Sequence, residues 1–125
     1  GNDVTVVSFG KIIKEAYKAA ELLSREGIDC EIIDLRTVRP MDHKTIINSV
    51  KKTNRLVILE EAWPFGNVST EITYQVQSQA FDYLDAPIEK INTADTPAPY
   101  SPVLLQEWLP GSNDVVNAVK KVLYK

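Results

Sequence analysis

Glu60 and Glu61 are adjacent carboxylates that directly follow the apolar run Leu56-Val57-Ile58-Leu59. Two neighbouring carboxyl groups can divide acid and base work when one is buried and keeps its proton. They can equally close a strand, one member solvated and the other bonded to a loop amide, and the absence of a nearby nucleophile or metal ligand favours that reading. Arg36 and Arg39 bracket a second loop. Two guanidinium groups there can fork hydrogen bonds to an anion, or pair with Asp34, Asp42 or Glu60 and anchor the loop, which is the preferred reading. Ser8-Phe9-Gly10 offers one glycine after a strand-like run, and no G-x-G-x-x-G pattern follows it. Walker-lysine, G-x-S-x-G and zinc motifs are absent too.

His43 is the only histidine and Cys30 the only cysteine. This excludes a His-x-x-x-His zinc site, an intramolecular disulfide and a thiolate cluster, and argues against a histidine-based catalytic constellation. Nothing beside Cys30 would lower a thiol pKa, so it reads as a small packing residue. Trp63-Pro64-Phe65 and Trp108-Leu109-Pro110 place large aromatics in loops. Aromatics are enriched at the centres of interfaces, so Trp63, Phe65, Tyr100 and Trp108 are interface candidates.

The elements that must carry these residues follow from periodicity. Asp3 to Phe9 is β-branched-rich and reads as a buried strand. Ile12, Ile13, Ala16, Tyr17, Ala20 and Leu23 then fall on one helical face, with Gly27 as the stop. Cys30 to Leu35 reads as a second strand. Pro40 breaks the following connection, and Asp42 is a candidate N-cap for a helix carrying Ile46, Ile47 and Val50. Arg55 to Glu60 is a third strand. A third helix, capped by Asn67 or Ser69, is expected to reach about Tyr83. Pro87 to Ile91 is a short fourth strand. The prolines at 97, 99 and 102 require extended loop, Val103 to Leu109 a short helix, and Ser112-Asn113-Asp114 offers caps for a last one. Such alternation predicts one domain over residues 1–125: a three-layer α/β/α sandwich around a mainly parallel, mixed sheet of about five strands.

Bulk properties agree. The chain has 125 residues, 44% apolar and 25% charged, with a net charge of −3. That suits one globular domain and argues against disorder. Acids and bases are interspersed without a basic stripe, which argues against nucleic acid as a partner. No apolar run approaches the roughly 20 residues of a membrane span, and no signal-peptide pattern is present. The abrupt strand-like start reads as a domain of a longer protein.

Five blocks occur in a fixed order: Asp3-Val4-Thr5-Val6-Val7-Ser8; Ile33-Asp34-Leu35-Arg36-Thr37-Val38-Arg39-Pro40-Met41-Asp42; Val50-Lys51-Lys52-Thr53-Asn54-Arg55-Leu56-Val57; Phe81-Asp82-Tyr83-Leu84-Asp85-Ala86-Pro87; and Ala94-Asp95-Thr96-Pro97-Ala98-Pro99-Tyr100. With these blocks the chain resembles, over essentially its whole length, the C-terminal domain of beta subunits of thiamine-diphosphate-dependent 2-oxo-acid dehydrogenases, the pyruvate dehydrogenase branch first. Branched-chain and acetoin dehydrogenases and the transketolase C-terminal domain are more distant relatives. One departure is Phe65-Gly66-Asn67-Val68-Ser69-Thr70-Glu71, where that family usually carries Gly-x-Gly-Ala-Glu. Another is Leu109-Pro110-Gly111.

The resemblance implies a whole enzyme in which thiamine diphosphate, with magnesium, decarboxylates pyruvate and passes the acetyl group to lipoamide. Cofactor and catalytic glutamate would belong to other domains, so this chain is expected to carry no catalytic, cofactor or metal residue and to be inactive alone. The implied partners are an alpha subunit, a second beta subunit and the dihydrolipoyl acyltransferase core. Asp85 and the terminal carboxylate on Lys125 are the implied contacts for the acyltransferase's basic subunit-binding domain. The implied compartment is a bacterial cytoplasm or the mitochondrial matrix. The competing expectation is a self-contained small-molecule-binding α/β module using Ser8-Gly10 and Arg36-Arg39.

Overall fold

A computed structural model describes residues 1–125. The strands are β1 (Val4–Ser8), β2 (Cys30–Asp34), β3 (Leu56–Leu59) and β4 (Glu89–Ile91). The helices are α1 (Ile13–Arg25), α2 (His43–Thr53), α3 (Val68–Ala80), α4 (Pro102–Trp108) and α5 (Ser112–Val122), with a 3-10 turn at Phe81–Tyr83 after α3. Sheet order is β2-β1-β3-β4, every pair parallel. The three-layer sandwich stands as expected, but the sheet has four strands rather than about five, and no antiparallel member makes it mixed. Beyond β4 the chain enters the segment of Pro97, Pro99 and Pro102, and proline cannot donate to a sheet ladder.

Period-two alternation divides the core. Val4, Val6, Val57 and Leu59 face α1 and α5 through Ala16, Ala19, Leu23, Val115, Val119 and Val122. Val7, Leu56 and Ile58 face α2 and α3 through Ile46, Ile47, Val50, Ile72 and Val76. The central strands β1 and β3 are buried along their whole length, whereas the edge strand β2 is half-buried. Thr5 is the polar exception inside. Its hydroxyl bonds those of Ser49 and Thr53, each at 2.7 Å, which fastens α2 to β1 without an unpaired oxygen.

Helix ends follow the sequence signals at α1 and α2 and depart from them at the end of α3 and the start of α5. Gly27 adopts φ +80°, and the amide of Ile28 reaches the Leu23 carbonyl at 3.0 Å, a Schellman stop for α1. Asp42 caps α2 by accepting from the Thr45 amide at 3.2 Å. The third helix stops at Ala80, and the expected extension to Tyr83 is the 3-10 turn. At α5 the N-cap position falls on Gly111, whose amide donates to the Asp114 carboxylate at 2.8 Å.

One surface contact sets an acid dependence. The bond from Lys52, and then that from the amino terminus, hold the Glu31 carboxyl down at about 2. An unfolded glutamate titrates near about 4.3. With the folded value below the unfolded one, the contribution is complete above about pH 4.3 and lost as pH falls through the folded value. Glu31→Gln should therefore flatten the acid limb of a stability–pH curve, more so at low salt because the pair is solvent-facing. Superimposable acid limbs for the two proteins would remove Glu31 as a contributor.

Candidate docking and assembly surfaces

The carboxylates after β3 separate completely. Glu60 is fully buried, and Glu61 is exposed. Glu60 accepts from the Ser69 amide at 3.1 Å, the Ser69 hydroxyl at 2.5 Å and the Asn92 amide nitrogen at 2.6 Å. Its charge thus lies at the amino end of α3, where it is favoured by the helix dipole. This is the strand-end arrangement, one member solvated and one bonded to a loop amide. It brings no nucleophile or second acid to the pair.

The other sequence candidates disperse. The Ser8 hydroxyl donates to the Leu59 carbonyl at 2.9 Å. After Gly10 the first amides of α1 are taken up within the turn, Ile13 on Gly10 and Glu15 on Ile12. Arg36 pairs with Asp34 at 3.4 Å, while Arg39 lines a groove with His43, Asn67 and Glu71. No three His, Cys, Asp or Glu side chains are grouped so as to hold a metal ion, and no helix is long and apolar enough to cross a membrane. Burial, and then the Asp29 carboxylate, push the Cys30 thiol up to about 11. Only on the order of one molecule in ten thousand would then carry the thiolate at neutral pH. Native Cys30 should resist alkylation at pH 8 under conditions that label the urea-unfolded chain; equally fast labelling of both would contradict the assignment.

Two surfaces remain, at opposite ends of the sheet. At the amino ends of β3 and β4, Asp85 is held from three sides. Its amide donates to the Asn54 carbonyl at 2.9 Å, its carbonyl accepts from the Tyr124 hydroxyl at 3.3 Å, and its carboxylate lies 3.8 Å from Arg55. Arg55 also donates through Nε to the Val122 carbonyl at 3.1 Å, which ties Asp85 to the end of α5. Asn54 reaches this junction in a left-handed conformation, φ +65°, and its side chain holds the Tyr83 carbonyl at 2.8 Å. Asp85 thus comes beside Tyr124, the residue before Lys125. Next to it runs a groove of about 500 Å³ lined by Phe81, Leu84, Pro87, Ile88 and Tyr124. Phe81 and Tyr124 are mostly exposed. The surface therefore combines an exposed carboxylate with open apolar area.

At the carboxyl ends lie the aromatic candidates. The indole nitrogens of Trp63 and Trp108 both donate to one carbonyl, that of Thr96, each at 2.9 Å. Their shared acceptor brings the loop before α3 against the proline-rich loop and α4. Phe65 is 90% exposed and Tyr100 fully so, with Val103 and Leu104 exposed on α4. Trp63 is about half exposed at 48%. Exposed apolar side chains gathered in neighbouring loops are the composition that an interaction surface requires. Sequence reasoning named the four aromatics but not Thr96, Lys90 or Asn92, whose bonds order the loops around Trp63 and Trp108. Their bonds join positions 12 to 33 residues apart, a distance that periodicity does not report.

Comparison with known proteins places these surfaces in a family context. Residues 1–115 match the family model described as transketolase, C-terminal domain. The chain is 52% identical over 124 residues to the pyruvate dehydrogenase E1 component subunit beta of Rickettsia felis, covering 99% of this chain and 38% of that protein. It is 56% identical to the same subunit of Rhizobium meliloti, covering all of this chain and 27% of that protein. The chain thus spans well under half the length of the curated relatives it matches. Among solved structures, a split-gene transketolase in an inactive beta4 tetramer superposes with a TM-score of 0.85 at 27% identity, covering 99% of this chain and 39% of that one.

Proposed function

The chain belongs to the transketolase C-terminal domain family, and from that premise we propose that it is the assembly and partner-docking domain of a pyruvate dehydrogenase beta subunit. The observation that carries the proposal is identity of 52% and 56% to two such subunits across practically the whole chain. The enzyme it serves decarboxylates pyruvate with thiamine diphosphate and a divalent cation, and hands the acetyl group to lipoamide. Alpha subunit, second beta subunit and acyltransferase core are its partners. Its compartment is the bacterial cytoplasm or the mitochondrial matrix, since relatives of both kinds are similar to it.

The residues of this chain do not fit the cofactor. A diphosphate with its cation needs free amides and grouped acidic ligands. Here the Ile13, Lys14 and Glu15 amides are bonded within the turn after Gly10, and no three His, Cys, Asp or Glu side chains are grouped to hold a cation. In this reading the chemistry belongs to other domains of the enzyme, and this domain contributes geometry. Separation of the two surfaces supports that role, because self-association at the aromatic face leaves the Asp85 end open to a second partner. The docking partner of that end is basic, with an apolar element for the groove beside Tyr124.

The test titrates the protein with the subunit-binding domain of its acyltransferase, comparing wild type with Asp85→Ala. Expected is binding that weakens about tenfold on substitution and falls further with added salt. Equal affinities for the two proteins at every salt concentration would exclude Asp85 as a contact.

A further inference from the structure

We propose that Glu60 is a positioning residue for the aromatic face, acting through Asn92 and Ser69 on the loop that carries Trp63 and Phe65. The inference rests on the assembly reading of that face and adds what controls its shape. The loop between β3 and α3 has no regular structure of its own, yet the four consecutive carbonyls from Ala62 to Phe65 are each taken by a donor. Ala62 accepts from the Thr93 amide at 2.9 Å, and Pro64 from Lys90 at 2.9 Å. Trp63 accepts from the side chain of Asn67, with Asn92 at 3.5 Å, and Phe65 accepts from Asn67 at 3.0 Å. Lys90 also reaches Thr70 at 3.1 Å.

Three of these donors, Lys90, Asn92 and Thr93, come from β4 or the residues just after it. They aim correctly only if the ends of β3 and β4 are in register. Glu60 sets that register. Its amide donates to the Ile91 carbonyl at 3.0 Å, its carboxylate grips Asn92 at 2.6 Å, and its other oxygen holds the first turn of α3 through Ser69. A buried carboxylate facing only donors fixes its partners more tightly than a neutral group would. A loop shaped in advance presents Phe65 without an ordering cost at the moment of association.

Replacing one oxygen by an amide group tests this. In Glu60→Gln an NH2 must face either the Ser69 amide or Asn92, both donors. Asn92 can turn its own oxygen inward, but then no longer donates towards Trp63. Adding Asn92→Asp restores a donor–acceptor match between the two strand ends. The experiment follows the Trp63 indole N–H resonance, the exchange rate of the Thr93 amide and the dilution dependence of self-association in the full chain. Expected for Glu60→Gln are a shifted Trp63 resonance, Thr93 exchange about tenfold faster than the rest of the sheet, and association about tenfold weaker. The double variant returns all three towards wild type.

Unchanged Trp63 and Thr93 signals would overturn the proposal. So would exchange that rises uniformly in step with a lowered unfolding midpoint, since that is loss of stability alone. If Glu60→Gln does not fold, Asn92→Ala reads the same two signals, because Glu60 keeps both Ser69 bonds. If the wild type does not self-associate, the assembly reading fails, and the Trp63 and Thr93 signals still decide the positioning role.

Discussion

Phe65→Ala should weaken self-association by roughly thirtyfold or more, with the unfolding midpoint unmoved. The side chain is 90% exposed and sits in a loop whose carbonyls from Ala62 to Phe65 are each engaged. Removing it therefore deletes no intramolecular packing, and the loop keeps its shape. A rigid aromatic at the centre of an apolar face is the kind of residue that dominates interface energetics. Sedimentation across a dilution series reads the change, and a parallel denaturant titration reads stability. A midpoint that falls with association would show that Phe65 packs within its own chain.

Ile58→Ala makes the opposite prediction. Ile58 is completely buried on β3, in the cluster with Ile46, Ile47, Ile72 and Val76. Truncation removes buried methyl groups and leaves a void between two helices and the sheet that rigid neighbours cannot close. The expected cost is about 3 kcal/mol, lowering Tm by on the order of 10 °C. Glu60 follows Leu59 at the end of the same strand, so the aromatic face should loosen as well. Loss of stability with an intact linear extrapolation slope would assign the effect to packing. A cost below about 1 kcal/mol would mean that the cluster repacks around the gap.

The two substitutions illustrate what was legible in the sequence. Ile58 belongs to an apolar run whose length and β-branching declare a buried strand, and α1 declares itself by the spacing of Ile12, Ala16 and Leu23, although Tyr17 of the expected face is exposed and Ala19 rather than Ala20 joins the core. Gly27 and Asp42 are chemically specific stops and starts, and they fall where expected. The four strands read from the residues are the four that pair, and the fifth of the expected sheet had no segment of its own in the sequence. Pro97 and Pro99 offer no N–H to a neighbouring strand, and Pro102, expected in the extended loop, opens α4 instead. At the candidate surfaces, residue types were legible and their partners were not. Asp85 and Tyr124 meet across 39 positions of chain, and Trp63 and Trp108 meet only through the Thr96 carbonyl. Glu60 and Glu61 look alike as letters. Their different fates depend on which one points towards Ser69, and that is a consequence of strand alternation and helix placement together.

The packing of α1 against α5 bears on how such a domain is made. The first helix and the last share one core layer, and the Ser112 amide reaches back to Glu15 at 3.1 Å across 97 positions. Until α5 has left the ribosome, Val4, Val6, Val57 and Leu59 have only half their cover. The nascent chain must therefore wait with one face of its sheet open, whereas the face roofed by α2 and α3 can close early. Contacts so distant in sequence slow folding, and the waiting face is where a chaperone would bind or aggregation would begin.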